Sequence, residues 1–249
     1  MQNNDTIPTG INTAMILAAG LGTRLKPWTD HHPKALAEVN GKSLLQRNIG
    51  YLQQYGITNI VINVHHFADQ VISAIRQNDG WGSRVIISDE TDAVLETGGG
   101  LKKAAPLLRG TGHFVLMNVD VLTDLPLDKM IDVHLRQQPL ATLATTHRDT
   151  SRYFLFDQDN LLAGWTNVGT GETKITRPAA TLHKKAFSGI HIISDRIFPF
   201  MARDGKFSMV DVYLALSPTE RILSFDHSGS HFIDVGKPES IARAASIFK

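Results

Sequence analysis

The chain has 249 residues, of which 42% are hydrophobic and 20% charged, with a formal net charge of +1; this is a globular composition that excludes a broadly basic nucleic-acid surface or a membrane-binding face. The absence of cysteine excludes disulfides, thiolate metal sites and a cysteine nucleophile. No apolar run approaches the roughly 20 residues of a membrane span, and the start MQNNDTIPTGINT lacks the basic and apolar parts of a signal peptide, so a cytoplasmic enzyme or binding protein is expected.

Met1 to Asn12 reads as a loose polar leader. The short apolar run Ala14 to Leu17 then reads as a buried parallel strand, because it has no polar alternation and is followed closely by glycine. Gly20 and Gly22 remove side chains where backbone N–H groups can approach an anion, and Arg24 and Lys34 add positive charge, so Ala14 to Lys34 reads as a phosphate loop around which the chain is organised. Ser43 caps a helix whose apolar stripe is Leu44, Leu45, Ile49, Leu52 and Tyr55 and which ends at Gly56. Strands follow at Asn59 to Val64 and Arg84 to Ser88, separated by a helix over Ala68 to Asn78. A helix over Thr97 to Leu108, a strand His113 to Asn118, a helix Leu127 to Arg136 and a strand Ala141 to Thr146 complete an alternating series. Such alternation implies a parallel sheet covered on both faces.

The pattern changes after His147. Tyr153 to Phe156 and Leu161 to Trp165 read as antiparallel strands joined by a polar turn, and Asn167 to Thr176 as an exposed loop. Ala186 to Ile193 returns to the core, and a final helix begins at Pro238 and carries Ile241, Ala244, Ala245 and Phe248 at helical spacing. The expected fold is α/β: a Rossmann-like, mostly parallel sheet with helices on both faces and a small antiparallel subregion. One domain spans residues 1–249, with halves at 13–147 and 148–249.

Several motifs fail on spacing. A dinucleotide fingerprint needs glycine three places beyond Gly22, where Leu25 stands, and a P-loop around Gly41-Lys42-Ser43 needs glycine five places earlier, where Leu36 stands. The pairs His31-His32 and His65-His66, and the residues His227 and His231, lack metal-ligand spacing. Ser188 has no nucleophile elbow around it. Two aspartates are better placed. Asp120 lies just past a strand's carboxyl end, the edge at which open parallel sheets bind ligands, and Asp234 ends a strand before Gly236. Carboxylate oxygens completed by phosphate and water are the usual surroundings of Mg²⁺.

Leu17-Ala18-Ala19-Gly20-Leu21-Gly22-Thr23-Arg24-Leu25-Lys26-Pro27 with Pro33-Lys34 resembles the signature of the sugar-1-phosphate nucleotidyltransferases. Asn118-Val119-Asp120, Phe187-Ser188-Gly189-Ile190 and Asp234-Val235-Gly236-Lys237-Pro238-Glu239 match that family's further motifs in order, over residues 14 to 239. Glu96-Thr97-Gly98-Gly99-Gly100 and the short length look most like its N-acetylmuramate-1-phosphate uridylyltransferase branch; manno-heptose-1-phosphate guanylyltransferases are also similar.

The resemblance implies attack by a sugar 1-phosphate on the α-phosphorus of a nucleoside triphosphate. Arg24 would stabilise the leaving pyrophosphate and Lys34 the α-phosphate, with Mg²⁺ on Asp120 and Asp234. Ala19, Gly20, Gly22, Thr23, Glu96, Thr97, Gly98 and Gly99 would bind the nucleotide, the glycines letting a flat base rest on backbone. Arg177, in Thr176-Arg177-Pro178 where many relatives carry Glu-Lys-Pro, would hold the sugar phosphate together with Ser188 and Gly189. UTP is the expected nucleotide and N-acetylmuramate 1-phosphate the expected sugar; the alternatives are a GTP-dependent mannose- or manno-heptose-1-phosphate guanylyltransferase, and a non-catalytic nucleotide-sugar sensor. The partners implied are these two substrates and neither nucleic acid nor membrane, the protein being a monomer or homodimer.

Overall fold

The computed structural model describes residues 10–249. In chain order its first part comprises β1 (Thr13–Leu17), β2 (Glu38–Val39), β3 (Lys42–Ser43), α1 (Leu44–Gln53), β4 (Asn59–Val64), α2 (Ala68–Gln77), β5 (Arg84–Asp89), α3 (Glu96–Lys103), α4 (Ala105–Leu108), β6 (His113–Asn118), β7 (Val121–Thr123), α5 (Leu127–Gln137) and β8 (Ala141–Thr146). The second comprises β9 (Arg152–Phe156), β10 (Leu162–Asn167), β11 (Glu172–Ile175), β12 (His183–Ser194), α6 (Met209–Leu216), β13 (Ile222–Asp226), β14 (Phe232–Asp234) and α7 (Pro238–Ile247). No helix among the described residues is long and apolar enough to cross a membrane.

Strands β5, β4, β1 and β6 are parallel neighbours in that order. β12 then joins β6 antiparallel, and β8, antiparallel to β12, carries β13 parallel to itself. The amino-terminal end of β12 also pairs with β9, to which β10 and β11 are added as antiparallel neighbours. The sheet is therefore mixed, with its parallel part where the βαβ alternation places it.

Every residue of β1 is buried, and its side chains divide between two cores by the period-two rule of strands. Ala14 and Ile16 join Leu45 and Ile49 of α1 in one cluster, while Met15 and Leu17 join Leu101 of α3 and Tyr213 of α6 in the other. Both faces of the sheet are thus covered, as parallel strands require. The start of α1 is held by Ser43, whose hydroxyl accepts from the backbone N–H of Gln46 at 3.1 Å, a cap that typically contributes about 1 kcal/mol.

Some expectations need correction. Of the predicted leader, Met1 to Thr9 lie outside the described residues, but Ile11 is buried and the Asn12 carbonyl accepts from the N–H of Asn59, so the part next to β1 is anchored. The helix expected over Thr97 to Leu108 is two helices, because Pro106 has no N–H to carry a continuous ladder past Ala104. The loop expected over Asn167 to Thr176 contains β11, an edge strand whose residues are all exposed and which therefore lacks the alternation that would reveal it. It packs tightly on β10: a Cβ at Gly164 would stand 2.3 Å from the carbonyl oxygen of Lys174.

Candidate active site

The turn after β1 is shaped by one glycine and anchored by a buried polar chain. Gly22 has φ +64°, and a Cβ there would lie 2.9 Å from Thr29 Cγ2 and 3.0 Å from Lys34 Cβ, so glycine lets the loop close on the stem of Lys34. The Thr29 hydroxyl donates to the Gly22 carbonyl at 2.9 Å. Nothing lies within 4 Å of a Cβ built on Gly20. Behind the loop the side-chain oxygen of Asn63 accepts from the N–H groups of Ala18 at 2.7 Å and Ala19 at 3.4 Å, and its amide donates to Glu90 Oε1 at 2.8 Å. Burial pushes the Glu90 carboxyl above the usual carboxylate range, and the bond from Asn63 opposes the shift. Neither residue stands in any motif of the sequence. The available signal was Asn63 within the apolar run Ile60 to Val64, since an amide in a buried strand must find partners.

The two aspartates are brought together by short strands. β14 pairs antiparallel with β7 so that Asp234 is opposite Val121, and the N–H of Val235 donates to the Asp120 carbonyl at 2.8 Å. Lys34 Nζ forms an ion pair with Asp120 in an enclosed setting, the side chains being 11% and 17% exposed. Arg24 reaches Asp234 at 3.6 Å in a more open one, with side chains 55% and 48% exposed. Gly236 makes the second pair possible: a Cβ there would stand 2.5 Å from the Arg24 guanidinium and 2.6 Å from Asp234 Oδ1. Among the described residues no group of three or more His, Cys, Asp or Glu could hold a metal by itself. Two hard carboxylates, Asp120 in the turn between β6 and β7 and Asp234 on β14, with further ligands from phosphate and water, nevertheless suit Mg²⁺.

Ala19, Gly20, Lys34, Glu96, Thr97 and Asp120 line one cavity of about 240 Å³, together with Asn63 and Glu90. Glu96 adopts φ +58°, the left-handed region that a side chain rarely occupies, and its carboxylate lies 3.4 Å from Lys206 Nζ. The Thr97 hydroxyl accepts from the N–H of Met209 at the start of α6. Arg24 and Asp234 line a neighbouring cavity of about 640 Å³. Thr23 begins the single helical turn Thr23–Leu25 that carries Arg24.

Other predicted residues are placed differently. Gly98 and Gly99 do not line the cavity; their N–H groups donate to the Phe207 carbonyl, and a Cβ would meet Phe207 at 2.5 Å or the Gly205 carbonyl oxygen at 2.2 Å. Glycine is needed there for packing α3 against the segment before α6. Arg177 is occupied elsewhere: its guanidinium donates to the Ser217 carbonyl at 2.7 and 3.0 Å and to the Glu220 carbonyl at 3.3 Å, closing the end of α6. The Ser188 hydroxyl is buried against His227 Nε2 at 2.8 Å. Gly189, at φ +72°, fits where a Cβ would lie 2.7 Å from the Asn118 amide, which brings β12 against the strand leading to Asp120.

The profile of the nucleotidyl transferase family matches residues 13–248. The chain belongs to that family. It is 32% identical over 240 residues to an N-acetylmuramate alpha-1-phosphate uridylyltransferase of Caulobacter vibrioides, covering 91% of this chain and 93% of that protein. It is 25% identical over 250 residues to a mannose-1-phosphate guanylyltransferase catalytic subunit beta of Drosophila pseudoobscura pseudoobscura, covering 98% of this chain and 64% of that protein. The crystal structure of HddC from Yersinia pseudotuberculosis complexed with GMP-PN is similar with a TM-score of 0.76 at 26% identity, covering 96% of this chain and all of that one. Within its family the chain is a sugar-1-phosphate nucleotidyltransferase in sequence and fold.

Proposed function

We propose that the protein transfers a uridylyl group from UTP to a sugar 1-phosphate, with N-acetylmuramate 1-phosphate as the acceptor. The observation that carries the reading is the convergence of Asp120 and Asp234, each beside a cation of the glycine loop, where two cavities open. A phosphate oxygen of the acceptor attacks the α-phosphorus, the new P–O bond forms as the bond to the β-phosphate bridging oxygen breaks, and pyrophosphate leaves with that electron pair. The nucleophile is already ionised, so the protein supplies position and charge rather than a base. Lys34 is placed for the α-phosphate and Arg24 for the departing pyrophosphate. Mg²⁺ held by Asp120 and Asp234 would neutralise charge on the reacting oxygens. Ala19, Gly20, Glu96 and Thr97 form the wall of the nucleotide cavity.

The base is assigned to uracil by similarity to the Caulobacter enzyme over nearly the full length of both chains. A guanine reading has its own support in the Drosophila relative and in Glu96 of the cavity wall, whose carboxylate could accept two donors from guanine or one from uracil. The experiment is pyrophosphate release from a panel of nucleoside triphosphates and sugar 1-phosphates with Mg²⁺. Fastest release from UTP with N-acetylmuramate 1-phosphate is expected. Fastest release from GTP would replace the base, and no release from any pair would leave a nucleotide-sugar sensor.

A further inference from the structure

The cavity beside Asp234 gathers the cations Arg24, Arg148, Lys237 and Arg243 in its wall. Arg24 in its wall is paired with Asp234. Arg148, Lys237 and Arg243 also line it, and among the described residues none of these three has a carboxylate partner within ion-pair distance. Asp149 is the one further acid in the wall.

Arg148 is the most strongly fixed of the three. One terminal N–H donates to the Phe187 carbonyl at 2.6 Å, and the guanidinium lies 4.9 Å from the centre of the Phe232 ring. Among the described residues its buried Nε has no hydrogen-bond partner, and neither has the other terminal nitrogen. A half-buried guanidinium anchored on two sides, with Asp234 acting on it only from beyond ion-pair distance, is costly to desolvate unless an anion completes it. Its anchors locate it. Phe187 directly precedes Ser188 and Gly189, the latter packed on Asn118; Phe232 is two residues before Asp234 on β14. Arg148 therefore lies on the Asp234 side of the aspartate pair, in a cavity that shares no lining residue with the one lined by Ala19, Gly20 and Thr97.

We infer that Arg148 is a specificity residue that binds a carboxylate carried on the acceptor sugar, so that acidic sugar 1-phosphates are selected over neutral ones. The inference rests on the acceptor being a sugar 1-phosphate, as proposed above. A planar, permanently charged guanidinium is suited to a carboxylate, and Lys237, just before α7, and Arg243 on α7 add attraction from the exposed rim of the same cavity. The same chemistry could receive the leaving pyrophosphate, and the reverse reaction separates the two sources.

The test uses the full chain with UTP and two acceptors, N-acetylmuramate 1-phosphate and N-acetylglucosamine 1-phosphate, which differ by the ether-linked carboxylate. The wild type is expected to favour the acidic sugar by at least ~10-fold in kcat/KM. Arg148→Met is expected to reduce kcat/KM for the acidic sugar by roughly 30-fold, mainly through KM, and by a far smaller factor for the neutral one, with partial recovery in Arg148→Lys. Lys237→Gln and Arg243→Gln, exposed positions that leave the Phe187 anchor intact, are expected to raise KM for the acidic sugar about 3-fold; they decide the matter if the Arg148 variants do not fold. Equal losses on both sugars, no preference in the wild type, or a rise confined to the KM of pyrophosphate in the reverse direction would overturn the inference while nucleotidyl transfer stands. No turnover with any acceptor would instead overturn the function proposed above.

Discussion

The two aspartates of the site are held in different ways. Asp120 is enclosed, paired with Lys34 beneath a loop whose backbone is fixed by Asn63 and Glu90, whereas Asp234 sits in the open with Arg24, on a three-residue strand. The Asp120 side is thus preorganised by buried groups, and the Asp234 side presents charged side chains to solvent. Charge stabilisation is strongest where the dielectric is low. An open side, in turn, allows a substrate to enter and pyrophosphate to leave.

Removing charge from the site is the largest break. Asp120→Asn and Asp234→Asn are each expected to lower kcat by at least ~100-fold with unchanged far-UV circular dichroism, the enclosed Asp120 giving the larger fall. A wild-type rate in either variant removes that residue from the site.

Next come the glycines, which separate packing from binding. Gly99→Ala forces a methyl to within 2.2 Å of the Gly205 carbonyl oxygen and is expected to destabilise the fold by roughly 3 kcal/mol in denaturant unfolding. Gly20→Ala meets nothing within 4 Å, so its effect belongs in the KM of the nucleotide rather than in stability. Equal stability losses in the two variants would erase the distinction.

Buried histidines set an acid limit. Burial holds His191 and His134 down at about 3, His113 and Arg196 assisting at His134, and holds His227 down at about 4, with Asp226 opposing and Arg148 assisting. These folded values lie below the ordinary value of 6.5, so the unfolded chain binds more protons in between. Stability is then complete above about pH 6.5 and falls as pH drops towards 4, by up to about 1.4 kcal/mol per pH unit per histidine. The thermal midpoint should decrease from pH 7 to 4.5; a constant midpoint contradicts neutral burial. His227 is one of the three, so His227→Asn should reduce this slope.

The smallest effect concerns Arg177. Arg177→Met is expected to cost about 1–3 kcal/mol of stability through the lost carbonyl contacts at the end of α6, with the KM of the sugar 1-phosphate within about 2-fold of wild type. A large rise in that KM with unchanged stability would return Arg177 to the substrate.

These contrasts also explain what could be read from the sequence. The alternation up to β8 is local, and it gives the parallel strands, their helices and the position of Asp120 at a strand end. The Ser43 cap and the closure of the glycine loop on Lys34 are likewise short-range. The antiparallel entry of β12, the exposed edge strand β11, the helix α6 and the strand β13 depend on distant partners and leave weak periodicity. Side-chain roles were hardest to read: Arg177 and Gly99 fit a motif, yet their neighbours at Ser217 and Gly205 are assembled only by the fold. Asn63 and Glu90 belong to no motif, and their meeting behind Ala18 requires the register of β4 with β1.

The most direct measurement is phosphorus NMR of the wild-type protein with UTP, a sugar 1-phosphate and Mg²⁺. Signals of pyrophosphate and of a nucleoside-diphosphate sugar are predicted to grow in equal amounts as those of UTP and sugar phosphate decline. Binding without conversion, or release of inorganic phosphate in place of pyrophosphate, would contradict nucleotidyl transfer at the Asp120 and Asp234 pair.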